Sequence, residues 1–327
     1  MSSSDSFSFL LKQITKDLNN INDTLALIGL LYIGKKSIEA AINLNRAISN
    51  YLIPALISNE KWLKSLGNWA IVIGCLNQIG YGYARELAKK QINLILIDDN
   101  EQLLNRASEI LKSNFNIEII TISIDFSNSN SYIPIEKSIV GRDIGILVNS
   151  NSFTTEWSNF HALPKNFIEK TISSNIGAFS FISRMIFPSM FQKNKGAIIN
   201  ITSKNTSFSS PYSAITAASN AYSEKLLETW RCEYSDKNLY FQTVNACFVD
   251  SSKFNNEIIL SDDSAMFTSS AIRTLGWSSY SMGHWLNTFK LHLLMKNFPI
   301  KFLNFIYTRI LKRKFKNSIE KSAIKDK

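Results

Sequence analysis

Sulfur and imidazole are scarce in this chain. Its 327 residues include three cysteines, Cys75, Cys232 and Cys247, and three histidines, His161, His284 and His292. No Cys-x-x-Cys pair occurs, which argues against a disulfide framework and for a reducing compartment. No histidine stands at ligand spacing from another histidine or from a cysteine, so no metal site is expected. Internal repeats and low-complexity tracts are absent. So are the basic start and small-residue cleavage site of a secretory signal. Asp5, Asp17 and Asp23 interrupt the start and early arginine is missing, which fits a cleavable mitochondrial presequence poorly. No nucleic-acid-binding motif is present, so the net charge of +10 is not read as a nucleic-acid footprint. That charge is concentrated at one end. Residues 301–327 carry nine Lys or Arg against Glu320 and Asp326, leaving the body nearly neutral. A basic tail of this kind suits anionic lipid or simple solubility.

The middle of the chain is built from apolar runs alternating with helical patterns. Runs rich in Val, Ile and Leu occur at 69–73, 93–97, 118–123, 144–148, 197–202 and 239–245. Helical periodicity fills 79–90, 101–114, 163–192 and 213–235. Strands apolar on both faces, alternating with helices, predict a parallel sheet covered on both sides. The expected fold is α/β, a doubly wound parallel sheet of Rossmann type with helical N- and C-terminal extensions. Its ligands would sit at the carboxyl ends of the strands. The expected divisions are 1–66, a helical segment; 67–255, the sheet domain; and 256–327, a helical, basic region.

Two stretches outside the sheet bear on membranes. Residues 24–34, "TLALIGLLYIG", carry no charge and are followed by Lys35 and Lys36. Eleven residues are too few to span a bilayer, which needs about 20, so a buried or interfacial helix is expected over a membrane anchor. In the C-terminal region Phe302, Phe305, Ile306 and Ile310 share one helical face, with Lys312, Arg313, Lys314 and Lys316 beyond. That stripe either docks on the protein core or lies on an anionic membrane surface.

The first strand runs into "GCLNQIG", residues 74–80, and then a helix. Such a turn lets backbone approach a pyrophosphate at the helix N-terminus. Gly74 and Gly80 are in place, but Gln78 stands where a middle glycine is expected. Further markers are Asp125 after the third strand, "LVNSN" at 147–151 with Asn149, Asn175 in the long helix, and Ser203. Thirteen residues beyond Ser203 lies Thr216, and four beyond that Asn220. With the sheet order, these markers resemble the short-chain dehydrogenase/reductase family over roughly 67–255. Near-end-to-end resemblance narrows this to a branch beside the steroid and very-long-chain 3-oxoacyl-CoA reductases. Members of that branch lack the catalytic tyrosine and are expected to be inactive.

The resemblance implies an NAD(P) cofactor and four catalytic positions. Tyr is the family's general acid/base, Lys lowers its pKa and holds the nicotinamide ribose, Ser binds the substrate oxygen, and Asn supports a proton-relay water. Here Ser203 and Asn175 are retained, Thr216 replaces Tyr and Asn220 replaces Lys. An aliphatic hydroxyl is a far weaker acid than a phenol, and a neutral amide supplies no charge to a neighbour. Losing general acid–base catalysis typically costs about 10²–10⁴ in rate. Ser152 replaces the glycine of the family's N-N-A-G motif, and Ala246 a proline after the sixth strand. Asp98 and Asp99 end the second strand. An acid there accepts hydrogen bonds from an adenosine ribose and repels a 2′-phosphate, which favours NAD over NADP. Alternatively Asp98, Asp99 and Asn100 simply make a polar turn.

The leading expectation is therefore a catalytically inactive homologue that binds a protein partner, a membrane or a residual dinucleotide. The alternative is a working oxidoreductase on a steroid, fatty-acyl or other lipid carbonyl or hydroxyl, taking its acid from elsewhere, such as Tyr212 close to Ser203. The resemblance also implies a mitochondrial location, with the endoplasmic reticulum membrane as the alternative, and a homodimer through long helices beside the site.

Overall fold

The computed structural model describes residues 25–42, 53–126, 132–151, 158–202, 210–246, 252–254, 257–288 and 298–325, with isolated positions 9, 13, 45, 48 and 249. Ser203 and Ser152, both singled out in the sequence, lie outside the described residues. The chain divides into two compact units, Met1–Leu52 and Ile53–Lys327.

In the first unit a helix, α1, covers residues 25–42. Leu25, Leu27, Ile28, Leu30, Leu31, Tyr32 and Ile33 are all exposed on it. No helix among the described residues is long and apolar enough to cross a membrane.

The second unit begins before residue 67. Its helix α2 (Glu60–Leu66) buries Leu63 and Leu66 in the same apolar cluster as the sheet. Asn59, just ahead of it, donates from Nδ2 to the Ile272 carbonyl at 2.8 Å. Burying each leucine contributes about 1.5–3 kcal/mol, and this ties residues 53–66 to the sheet rather than to the N-terminal segment.

Seven parallel strands follow: β1 (Trp69–Ile73), β2 (Asn93–Asp98), β3 (Ile119–Ser123), β4 (Ile144–Asn149), β5 (Gly196–Thr202), β6 (Leu239–Asn245) and β7 (Tyr280–Ser281). Their order is β3-β2-β1-β4-β5-β6-β7, so the order reverses between β1 and β4. Every residue of β1, β4 and β5 is buried, as the two-sided apolar runs predict. Each face of the sheet has its own core. Ala70, Val72, Leu94, Leu96, Ile146 and Val148 point one way. Ile71, Ile73, Ile95, Ile97 and Leu147 point the other. Alternation of side chains along a strand makes this split.

The covering helices are α3 (Gln78–Lys89), α4 (Glu101–Asn114), α5 (Ile133–Ile139), α6 (Lys165–Ile172), α7 (Ala178–Gln192), α8 (Ala214–Glu233) and α9 (Asp262–Arg273). The long pattern at 163–192 is not one uniform helix: α6 and α7 are joined by a π turn, Ser173–Gly177. The short β7 had no counterpart in the sequence, because it is only two residues long; α9 falls within the helical region expected from residue 256.

Two glycines set the β1–α3 turn. Gly74 has φ +72°, in the left-handed region that L side chains rarely adopt. At Gly80 a Cβ would overlap the Gly74 carbonyl oxygen, so glycine is what lets the helix lie this close to the strand end. Gly80→Ala should lower stability by about 1–3 kcal/mol, measured by urea denaturation. Gly177→Ala, whose added methyl would meet nothing closer than the Phe181 ring at 3.7 Å, should stay within about 0.5 kcal/mol of the parent.

Candidate active site and the dinucleotide crevice

The crevice of a doubly wound sheet opens where the strand order reverses, here between β1 and β4. The first turns of α3 face it, and a helix N-terminus normally offers unpaired N–H groups to a phosphate. In this chain those donors are engaged by the protein itself. Asn77 caps the helix, its Oδ1 accepting from Ile79 N at 3.0 Å and Gly80 N at 2.8 Å. Its Nδ2 donates to the carbonyls of Gly74 and Ser150 at 2.7 and 2.8 Å. Gln78 N donates to the Ser252 carbonyl at 3.1 Å, and Tyr81 N to the Asn77 carbonyl at 3.0 Å.

The Ser252 contact belongs to a strap. Phe254 N donates to the Leu76 carbonyl at 2.9 Å, and Asn77 and Lys253 pair as an isolated antiparallel bridge. The Gln78 side chain fastens the following segment: Nε2 donates to the Ile259 carbonyl at 2.9 Å, and Oε1 accepts from Ser261 N at 2.9 Å. The strap thus lies against the β1–α3 turn, the place where a pyrophosphate sits in this fold.

Lys253 extends these contacts to the end of β2. Its Nζ lies 3.1 Å from Asp98 Oδ1 and 2.9 Å from Asp99 Oδ1. Asp98 is only 1% exposed. Its Oδ2 accepts from Leu76 N at 2.8 Å and its Oδ1 from Asp99 N at 2.9 Å. Burial pushes the Asp98 carboxyl above its ordinary range, and the Lys253 charge opposes that. Burial works on Asp99 in the same direction but is outweighed, and the hydrogen bond to Asp98 and the Lys253 ammonium hold it low. The Lys253 amine is itself disfavoured by burial, yet the two carboxylates raise it. Asp98 therefore turns inward, and Asp99 is the acid of the pair that lines open space. Asn100 Oδ1 caps α4 by accepting from Leu103 N at 3.0 Å, as a polar turn would.

A cavity of about 450 Å³ remains at the ends of β2, β3 and β4. Asp99, Asp125, Asn151, Ser174, Lys170 and Lys253 are among its lining residues. Asp125, which follows β3, is on the wall of this cavity. Asn149 does not face this cavity; it is buried, and its Nδ2 donates to Asn200 Oδ1 at 2.7 Å.

The catalytic positions lie on α8 and the π turn. Asn175 is held in the wide turn and donates from Nδ2 to Ser219 Oγ at 3.1 Å. Ser219 in turn donates to the Thr216 carbonyl at 2.9 Å. Thr216 is 2% exposed, and Asn220 is buried with its Nδ2 unpaired among the described residues. Asn200 Nδ2 and Thr202 Oγ1 on β5 are likewise buried and unpaired. Asn175, Thr216 and Asn220 are thus placed on neighbouring elements, but the site holds neither phenol nor ammonium at the two altered positions. Tyr222 points elsewhere, its hydroxyl 3.1 Å from Ser180 Oγ on α7. Tyr212 has a left-handed φ of +66° and its carbonyl accepts from Ser158 N at 3.1 Å. Its proposed approach to Ser203 falls outside the described residues. The strap residues Ser252 and Lys253 and the cap Asn77 escaped the sequence reading. Asn77 was legible as a cap residue ahead of a helix; a contact between positions 155 residues apart was not.

Comparison with known proteins agrees with this architecture. Residues 68–261 match the family model described as short chain dehydrogenase, and the chain belongs to that family. It is 31% identical over 293 residues to human "Inactive hydroxysteroid dehydrogenase-like protein 1", covering 87% of this chain and 89% of that one. It is also 30% identical over 263 residues to mouse "Very-long-chain 3-oxoacyl-CoA reductase", covering 79% and 83%. A solved 7beta-hydroxysteroid dehydrogenase has the same fold, with a TM-score of 0.67 at 16% identity over 75% of this chain and 99% of that chain. A short-chain dehydrogenase from Sphingobium yanoikuyae, solved in complex with NADPH, has a TM-score of 0.50 at 23% identity over 54% and 70%. Similarity along most of the chain to proteins named inactive accompanies Thr216 and Asn220, and marks a homologue of the inactive members of the family.

Lys253→Met would leave the buried Asp98 carboxylate without its cation. Asp98 is already raised, so its charged form costs stability as pH climbs above the ordinary carboxylate range; without Lys253 that cost grows. The variant should be destabilised by roughly 1–3 kcal/mol at neutral pH, discounted for the partial exposure of Lys253. The difference should shrink toward pH 4, and adding Asp98→Asn should recover most of it. Urea denaturation at the two pH values measures this.

Proposed function

We propose that this chain is a non-catalytic short-chain dehydrogenase that works by binding, with its dinucleotide crevice closed by its own residues 252–254. The observation that carries this reading is the donor inventory at the start of α3. The amides of Gln78, Ile79 and Gly80, which would meet a pyrophosphate, are hydrogen-bonded to Ser252 and Asn77. Thr216 and Asn220 supply neither a phenolic acid nor a positive charge, so no carbonyl reduction or alcohol oxidation is assigned to the site. Where the strap is displaced, Asp99 at the end of β2 favours NAD over NADP, because its carboxylate repels a 2′-phosphate.

The test is calorimetric titration of the full chain with NAD, NADH, NADP and NADPH. The parent protein should give no measurable heat at millimolar ligand. Gln78→Gly with Lys253→Ala unfastens the strap at two points and should gain weak binding, NADH before NADPH. Thr216→Tyr with Asn220→Lys, added to that variant, should be needed before any hydride transfer is seen. Tight NADH binding by the parent chain would contradict a closed crevice. Turnover by the parent would contradict the reading altogether and favour an oxidoreductase with its acid elsewhere.

A further inference from the structure

Helix α10 (Ile300–Lys325) presents an unusual outer face. Phe302, Phe305, Ile306 and Ile310, the stripe that could have docked on the core, are 44%, 60%, 39% and 49% exposed. The helix instead turns Leu311 inward, with Leu303 and Tyr307 half-buried on the same side. Phe298, also exposed, stacks on Phe302 with ring centroids 5.5 Å apart. Lys301, Arg309, Lys312, Arg313 and Lys316 are exposed among and beyond these apolar residues. Arg309 lies over the Phe305 ring, 5.8 Å from its centroid.

The charge on this face has one sign. No Asp or Glu occurs anywhere from Ser264 to Ile319. An ordinary solvated helix face interleaves acids with bases at i,i+4 spacing; over residues 300–319 this helix has Lys301, Arg309, Lys312, Arg313, Lys314 and Lys316 and no acid before Glu320, four residues beyond Lys316. Apolar side chains dominate the first half of the outer face and cations the second. Long basic side chains can lie along apolar surface while their heads reach a polar layer. Aromatic residues at the level of lipid headgroups, with cations against anionic lipid, form the pattern of an interfacial helix. A second copy of this chain is disfavoured as the occupant, because two such faces would oppose cation to cation.

We infer that the outer face of α10 binds the surface of an anionic lipid bilayer, with Phe302, Phe305, Ile306 and Ile310 entering the headgroup boundary and Arg309, Lys312, Arg313 and Lys316 meeting the lipid phosphates and carboxylates. The inference is independent of the closed crevice: it stands whether or not a dinucleotide binds.

Flotation of the full chain with vesicles tests it. Vesicles of phosphatidylcholine with about one-third phosphatidylserine, at about 0.1 M salt, should retain the protein. Pure phosphatidylcholine, or a fivefold rise in salt, should weaken retention by on the order of tenfold or more. Replacing Arg309, Lys312, Arg313 and Lys316 by Gln should weaken it by on the order of 100-fold. Phe302→Ser with Phe305→Ser should weaken it at both salt concentrations. Those side chains are exposed, so thermal unfolding should be unchanged, which separates a lost surface from a lost fold. Residues 25–42 stay intact in every variant, so the differences report on α10 alone. No retention by the parent chain, or equal retention by parent and both variants, would overturn the inference. So would a dimer in sedimentation velocity that dissociates in the Phe variants, since the face would then belong to a second copy.

Discussion

The cap that Asn77 places on the first crevice helix governs the rest of this site. One side chain satisfies two helix amides and two carbonyls, those of Gly74 and Ser150, at the meeting point of β1, β4 and α3. With the Ser150 hydroxyl, which also donates to Asn77 Oδ1, five hydrogen bonds to one buried amide fix the turn, each contributing about 0.5–1.5 kcal/mol net and costing more if left unmade. The turn in turn fixes Leu76 and Gln78, the backbone partners of Phe254 and Ser252. The strap then carries Lys253 to Asp98 and Asp99. A turn that in this fold family serves phosphate is here part of the protein's own packing.

This arrangement separates two properties that are easily confused. The fold is a dinucleotide-binding one, and solved relatives of the same fold hold NADPH. Function, however, resides in the site grafted on a fold. Here the cofactor cradle and the acid–base pair are altered independently: one through Gln78 and the strap, the other through Thr216 and Asn220. Asn175 braces its π turn against α8 through the hydrogen bond to Ser219, a structural use that needs no catalysis.

Much of the fold was legible in the sequence. Two-sided apolar runs located the six longer strands within a residue or so, and the parallel sheet followed from their alternation with helices. The altered positions 216 and 220 were legible too, through their interval from Ser203. The π turn was not, since one inserted residue barely disturbs helical periodicity. Nor was the inward turn of Asp98: an acid at a strand end reads the same whether it faces solvent or Lys253. The stripe on α10 was found, but its orientation depends on which face meets the body of the protein, and Leu303, Tyr307 and Leu311 carry no stronger sequence signal than the phenylalanines they oppose. Helical pattern alone does not reveal that Leu63 and Leu66, ahead of the first strand, enter the sheet's core.

The most direct measurement of the closed crevice is amide hydrogen exchange at Gln78 and Phe254 in the full chain, with and without millimolar NADH. These two N–H groups are donors to Ser252 and Leu76, so their exchange reports the strap itself. The account predicts slow exchange at both amides and no change on adding NADH. Rapid exchange at both, or NADH-dependent change at Gln78 together with release of Phe254, would show a crevice open to cofactor and contradict it.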